Sequence, residues 1–189
     1  MWTVDESFAR DLFAGSASAR RLWQGEESRR WETSGFILLG DYALNTDDII
    51  ALRQLADIYA RGADQKREED YRRIFAEDAE LIGPGFAYYE LEEVLKSIVA
   101  LDQMFMKTMH WVHNQTVEID GDLASGETCS TVEQRLHPPR DNELLCYAVR
   151  YQDKWRKTDG VWKFTRRELI FDWEEVRPVR NVGQVSPQS

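Results

Sequence analysis

An aspartate and a histidine are the residues of this sequence whose types and placement could do chemistry together. Asp64 lies in a polar break after a long apolar-patterned segment, and His110 begins a segment rich in β-branched and aromatic residues. A carboxylate that accepts one imidazole N–H fixes the tautomer, so the other ring nitrogen can take a proton. Such a pair is a general base without a cofactor. The alternative interpretation is structural: Asp64 caps a helix that begins near Lys66, and His110 is a half-buried sheet histidine.

Other catalytic signatures are missing from the sequence. It has no glycine-rich phosphate loop ending in Lys-Ser/Thr, no GxGxxG after a predicted strand and no GxSxG, which argues against nucleotide-driven chemistry and serine hydrolysis. His110 and His113 are three positions apart on a predicted strand, so their side chains point to opposite faces and cannot share a metal ion without a bulge. The sequence therefore predicts neither a metal site nor a bound cofactor.

The elements that must position Asp64 and His110 are three helices and a run of strands. Apolar residues at helical spacing predict one helix that begins at Thr46, a second over about 66–76 and a third over about 91–107. A short strand that turns at its glycines is predicted over 81–86. The later strands, which are rich in Val, Thr, Trp, Tyr and Phe, are predicted near 109–120, 125–136, 144–157 and 161–173. This order predicts an α+β fold in which helices cover one face of a curved antiparallel sheet.

Length and charge limit the domain count and the partners. The chain has 189 residues with 24 Lys+Arg against 34 Asp+Glu, a net charge of −10, so nucleic acid and anionic lipid are poor candidate partners. No apolar run approaches the roughly 20 residues of a membrane helix, and the start lacks a signal-peptide pattern, which favours a cytoplasmic location. We predict an N-terminal extension over 1–45 with one or two short helices, a domain over 46–175 and a tail over 176–189.

The two cysteines lie on neighbouring predicted strands. If residues 137–142 form the hairpin centre, Cys129 lies opposite a residue near Arg150 and Cys146 opposite one near Glu133. The sulfurs are then out of register for a disulfide. We expect two buried free thiols.

Five stretches of the chain resemble the SnoaL-like group of the nuclear-transport-factor-2-like superfamily, which includes scytalone dehydratase, hexachlorocyclohexane dehydrochlorinase and bile acid 7α-dehydratase. They are IYARGAD at 58–64, RRIFAEDAEL at 72–81, TMHWVHN at 108–114, YQDKW at 151–155 and DGVWKF at 159–164. The resemblance, which rests on the order and spacing of these stretches, covers roughly residues 47–173.

The resemblance implies a fold and a catalytic pair. The fold is a cone-shaped α+β barrel, a curved antiparallel sheet wrapped around three helices with a deep apolar pocket. In the lyases of the group, an Asp and a His at the positions of Asp64 and His110 form the catalytic dyad. Tyr59 matches a pocket tyrosine of the bile acid enzyme. Arg167 corresponds to an arginine that helps the leaving group in the dehydrochlorinase, although a solvated strand residue such as Arg166 is the alternative.

Aromatic and sulfur-containing side chains fall on segments that line the pocket in similar proteins. We expect the substrate to contact Phe86, Tyr88, Met106, Trp111 and Asn114. An apolar, aromatic or polycyclic small molecule would suit such a wall.

The resemblance implies a cofactor-independent lyase that acts on a hydrophobic hydroxylated small molecule, by dehydration or by carbon–carbon cleavage such as the deformylation of diarylpropane lyases. The same dyad could run an isomerisation. The alternative from another class is a non-catalytic member that binds a ligand or docks a partner subunit, burying Trp23 and Trp31. Because similar proteins with the dyad are often trimers, we expect a homotrimer.

Overall fold

The computed structural model describes residues 36–39 and 42–180, with side chains from Thr46 onward. The helices are α1 (Thr46–Gln65), α2 (Glu68–Ile74) and α3 (Leu91–Met104). The strands are β1 (Phe36–Leu39), β2 (Tyr42–Asn45), β3 (Phe75–Gly83), β4 (Phe86–Tyr89), β5 (Lys107–Asp120), β6 (Leu123–Arg135), β7 (Glu143–Thr158) and β8 (Val161–Pro178). Among these residues, no helix has the length and apolarity needed to cross a bilayer.

Six strands form one curved sheet in the order β4-β3-β8-β7-β6-β5. The four long strands β5 to β8 pair antiparallel in chain order, as predicted. The prediction of a wholly antiparallel sheet is corrected at one place, because β3 pairs parallel with β8. That pairing joins strands far apart in sequence, and local patterns carry no signal for it. The sheet does not close, since β4 and β5 remain its edges.

The helices fill the concave side of this sheet. α1 starts at Thr46 with Asp47 and Asp48 in its first turn, as the capping pattern predicts. Its buried residues recur at helical spacing and join side chains of α2, α3 and the sheet in one core. The largest fully buried core side chains include Trp155, Tyr71, Phe75 and Phe164.

Several boundaries differ from the sequence predictions. α3 ends at Met104 because β5 begins at Lys107, where the chain pairs with Arg135. The predicted short strand is the β3–β4 hairpin, which turns at Gly85 with φ +83°. β8 continues to Pro178 because its ladder with β7 runs to Glu143, so the first residues of the predicted tail belong to the sheet.

Within the predicted extension, the described residues are those of β1 and β2, which pair antiparallel. The short helices predicted earlier in the chain, together with Trp23 and Trp31, lie outside the described residues.

The cysteine register is confirmed, since Cys129 pairs with Arg150 and Cys146 with Glu133. Both thiols are free, but only Cys146 is buried. Cys129 is partly exposed, which corrects the prediction that both are buried.

Candidate active site

Asp64 and His110 meet where the last turn of α1 packs against β5. The His110 ring Nδ1 lies 2.6 Å from Asp64 Oδ1, and the backbone N–H of His110 donates to Oδ2 at 2.9 Å. The Thr108 hydroxyl donates to Oδ1 at 3.0 Å. Three donors from one strand therefore fix the carboxylate.

The capping role considered for Asp64 does not fit this placement. Asp64 lies inside α1, and the cap position of α2 is Arg67, which makes no side-chain capping bond. An acidic side chain in the last turn of a helix is disfavoured by the helix dipole. The donors from β5 offset that local cost.

These hydrogen bonds decide the charge of Asp64. Burial opposes its ionisation, but the bonds from His110 and Thr108 outweigh burial and hold the pKa of Asp64 below its usual range. An ionised carboxylate can only accept a hydrogen bond, so His110 Nδ1 carries the proton and donates it in a hydrogen bond to Asp64. The His110 Nε2 then carries the free lone pair, on a side chain only 6% exposed.

His113 does not join His110. Its Nε2 lies 2.8 Å from the Thr131 hydroxyl on the exposed side of the sheet. Within the described residues, no three His, Cys, Asp or Glu side chains are grouped as metal ligands.

A cavity of about 230 Å³ opens beside His110. Its wall is formed by α3, the β3–β4 hairpin, the concave face of β5–β8 and one residue of α1. Most of the wall is apolar or aromatic, and it includes Leu81, Phe86, Tyr88, Leu101, Phe105, Leu169 and Phe171. Polar groups on the wall include Tyr59, His110, Gln134 and Tyr151.

The structure brings together four of the predicted site residues on this wall, namely Tyr59, His110, Phe86 and Tyr88. The Tyr59 ring meets the His110 ring edge-on, with centroids 6.0 Å apart. Burial raises the pKa of Tyr59, so its phenol stays protonated at neutral pH. Asp64 lies behind His110 and positions it.

Three predicted contact residues lie elsewhere. Trp111 follows His110 on β5, so its side chain takes the opposite face and is 52% exposed. Strict alternation would put Asn114 on the face of His110, but the register of β5 shifts between Val112 and Gln115. Asn114 is exposed, and its Nδ2 lies 3.6 Å from Cys129 Sγ. Met106 is 39% exposed, whereas its neighbour Phe105 lines the cavity.

Arg167 is buried behind the cavity wall rather than on it. Its Nε and Nη2 each donate to Asp153 at 2.8 Å. Its guanidinium lies 4.3 Å from the ring centroids of Tyr59, Tyr151 and Phe164. It therefore differs from the solvated strand residue considered as the alternative, and its contacts support the two cavity tyrosines from behind.

Gln134 and Tyr151 were missed as site residues. The cysteine spacing correctly places β6 opposite β7, and this register sets Val132 opposite both His110 and Tyr147. Gln134 and Tyr151 share the face of those residues by alternation. The missing information was which face of the sheet is concave.

Comparisons with known proteins agree with this architecture. A model of the SnoaL-like domain matches residues 45–168. An uncharacterized protein of Mycobacterium tuberculosis is 27% identical over 125 residues, which cover 64% of this chain and 82% of the relative. The hexachlorocyclohexane dehydrochlorinase LinA-type3 from Novosphingobium barchaimii superposes with a TM-score of 0.64 at 21% identity, covering 75% of this chain and 96% of that one.

A scytalone dehydratase-like protein from Novosphingobium aromaticivorans superposes with a TM-score of 0.62 at 23% identity, covering 74% of this chain and 96% of that one. At such identities the solved structures establish the fold. The domain model spans more than half of the 189 residues, and the chain accordingly belongs to the SnoaL-like domain family.

Proposed function

We propose that this protein is a cofactor-independent lyase in which Asp64 and His110 act as a general base on a compact, mostly apolar, hydroxylated small molecule. The observation that carries the proposal is the 2.6 Å contact between His110 Nδ1 and Asp64 Oδ1 beside an open cavity. Because Asp64 accepts a hydrogen bond from Nδ1–H, the other ring nitrogen, Nε2, is left as the base. The burial of the His110 side chain keeps competing water away from it.

The cavity favours a substrate of one or two rings. Binding sites for drug-sized ligands are usually ~300–1,000 Å³, and this cavity of about 230 Å³ is smaller. Its aromatic and aliphatic wall, which includes Phe86 and Tyr88, suits an aryl or alicyclic body. The LinA dehydrochlorinase and the scytalone dehydratase-like protein are named for elimination reactions, and this supports the same class here.

In a dehydration, His110 Nε2 takes a proton from the carbon next to the C–OH carbon. The C–H electron pair forms the new double bond, the C–O bond breaks, and the departing hydroxide takes a proton from the imidazolium or from the Tyr59 phenol to leave as water. When Tyr59 supplies the proton, the imidazolium returns its own proton to the phenolate. Asp64 stabilises the imidazolium formed on the way.

The same base supports two related outcomes. If the proton comes from a hydroxyl group, its electrons form a carbonyl, a carbon–carbon bond breaks, and the carbon leaving group takes up the proton. An isomerase would return the proton to another carbon of the same molecule. Product analysis separates the three outcomes.

The test is turnover of a panel of aryl alcohols, β-hydroxy aryl ketones and chlorinated alicyclic compounds, followed by mass spectrometry. We expect His110→Ala to lower kcat by about 10²- to 10⁴-fold. His113→Ala is the matched control, because this histidine lies on the same strand but bonds Thr131 on the other face. Full turnover by His110→Ala would rule out the mechanism.

Asp64→Asn tests positioning separately. We expect kcat to fall while the KM changes little, and nitrogen-15 NMR of the neutral ring to show a mixture of tautomers in place of Nδ1–H alone. Asp57→Asn, an exposed change on α1, is the control. An unchanged tautomer together with unchanged kcat would contradict the role of Asp64.

The panel also decides the non-catalytic alternative. A compound that fills the cavity and is recovered unchanged from every incubation with the wild-type protein, with no turnover of any other compound, favours a ligand-binding member of the family.

A further inference from the structure

Two polar groups of the cavity wall are buried without a hydrogen-bond partner. They are the Gln134 side-chain oxygen Oε1 and the Tyr151 hydroxyl. Gln134 is 8% exposed and Tyr151 is 2% exposed, so bulk water does not satisfy them. A buried polar atom without a partner is costly, and native proteins rarely keep one without a reason.

The two groups leave the concave face at different levels of the sheet. Gln134 pairs with Leu145, and Tyr151 is six residues further along β7. His110 lies between these levels, because it pairs with Val132, which faces Tyr147. Both side chains reach from the concave face into the same cavity wall.

Their chemistry is complementary. A side-chain amide oxygen accepts a hydrogen bond, so Gln134 requires a donor. Burial raises the pKa of Tyr151 well above its usual value, so the phenol keeps its proton and donates. The Arg167 guanidinium against one face of the Tyr151 ring holds it in place.

We propose that Gln134 and Tyr151 are the specificity-determining residues of this cavity and select a compact, mostly apolar molecule with a hydroxyl or N–H donor at one end and an oxygen acceptor at the other. Gln134 Oε1 accepts from the donor end, and the Tyr151 hydroxyl donates to the acceptor end. The inference deepens the proposed function by naming its substrate class, but it concerns binding and does not require turnover.

Three probes of similar shape test it by calorimetry. Para-hydroxybenzylacetone carries both ends, para-methoxybenzylacetone lacks the donor and para-butylphenol lacks the carbonyl acceptor. We expect the wild-type protein to bind the first probe about tenfold more tightly than either of the others.

Near-isosteric variants assign each end. We expect Gln134→Met to lose the preference for hydroxyl over methoxy and keep the preference for carbonyl over butyl. Tyr151→Phe should lose the preference for carbonyl over butyl and keep the preference for hydroxyl over methoxy. Gln152→Met and Tyr89→Phe are matched controls, because Gln152 bonds Glu127 and Tyr89 is 55% exposed, and neither lines the cavity.

Thermal unfolding of the ligand-free variants separates recognition from a structural role. Replacing an unpartnered buried polar atom by an apolar group of the same shape is neutral or stabilising, so Tm should stay or rise. A lowered Tm in both variants would show that the two groups have partners within the protein and would overturn the proposal. So would unchanged preferences in both variants, or no binding of any probe to the wild-type protein.

The two proposals fail separately. Selective binding by the wild-type protein and by His110→Ala, together with no turnover of any compound by the wild-type protein, would support this inference and contradict the lyase. Turnover by the wild-type protein, together with unchanged probe preferences in Gln134→Met and Tyr151→Phe, would support the lyase and contradict this inference.

Discussion

At the scale of single residues, the pair of Arg167 and Asp153 is the most deeply buried ion pair of the described residues. Both side chains are 1% exposed or less, and Asp153 also accepts from the Thr128 hydroxyl at 2.9 Å. The pair lies behind Tyr59 and Tyr151. The carboxylate and the guanidinium compensate each other, so neither is tolerated alone.

A double-mutant cycle checks this compensation. We expect Arg167→Met to lower the free energy of unfolding by about 3–5 kcal/mol, because it leaves Asp153 as an uncompensated buried charge. Adding Asp153→Leu should recover most of that loss. Urea unfolding measures the free energy of unfolding of both variants. The control is Arg166→Met, which breaks a partly exposed ion pair with Glu80 and should cost under about 1 kcal/mol. Additive losses in the double variant would contradict the prediction.

Sequence reasoning reached the Asp64–His110 pair but only part of the cavity wall around it. Asp64 and His110 each lie in a short sequence stretch that resembles the SnoaL-like group. They come together because the end of α1 packs on β5. Met106 was predicted as a substrate contact, but it precedes β5 and is 39% exposed, whereas the adjacent Phe105 lines the cavity. Gln134 and Tyr151 are defined by the concave face of a sheet, which residue spacing does not specify.

At the scale of elements, the corner between α1 and α2 depends on one carboxylate. Asp70 has a side chain that is 1% exposed, and it accepts from Arg61 at 2.6 and 2.8 Å. The hydrogen bonds from Arg61 outweigh burial and lower the pKa of Asp70. A Cβ at Gly62 would lie 2.8 Å from the Tyr71 ring, so α1 and α2 approach closely beside this carboxylate, on the turn of α1 that precedes Asp64.

The stability of this corner should depend on pH in a defined direction. A carboxyl group whose folded-state pKa is depressed contributes stability above its unfolded pKa of about 3.9, and the contribution is lost as the pH falls toward the folded value. We expect Asp70→Asn to cost about 2 kcal/mol at pH 7 and the gap from wild type to narrow below about pH 4. Chemical unfolding at pH 7 and below pH 4 measures this difference in the free energy of unfolding, with Asp57→Asn as the exposed control. A difference that stays the same at both pH values would exclude the Asp70 carboxylate as its source.

The helices and long strands could be predicted because each has a repeating apolar pattern. The parallel β3–β8 pair could not, since it depends on contacts between residues such as Phe75 and Phe164 that lie far apart in the chain. The last residues of β8 were also missed. They have no apolar alternation, and the ladder to β7 alone keeps them extended.

At the scale of the whole molecule, the convex face of the sheet exposes two large aromatic side chains. Trp111 is 52% exposed and Trp173 is 68% exposed. Successive pairings place Thr131 and Ala148 between them in one row across four strands. Exposed aromatic residues around a floor of small ones are typical of a protein interface.

We propose that this row lies in the interface of a homotrimer. Light scattering should give three times the chain mass of 22.1 kDa, and Trp111→Glu combined with Trp173→Glu should give monomers. Val161→Glu changes a side chain that is 55% exposed at the β7–β8 turn and should leave the mass unchanged. A monomeric wild-type protein would contradict the proposal.

The place of β8 between β3 and β7 also has a consequence for synthesis of the chain. β3 is made early, yet its parallel neighbour is the last strand described. Until that strand leaves the ribosome, β3 and β7 both present open edges, and the apolar side chains of the future core have no complete cover. The nascent chain therefore holds an unfinished sheet for most of its translation, and it is in this interval that aggregation or chaperone binding competes with folding.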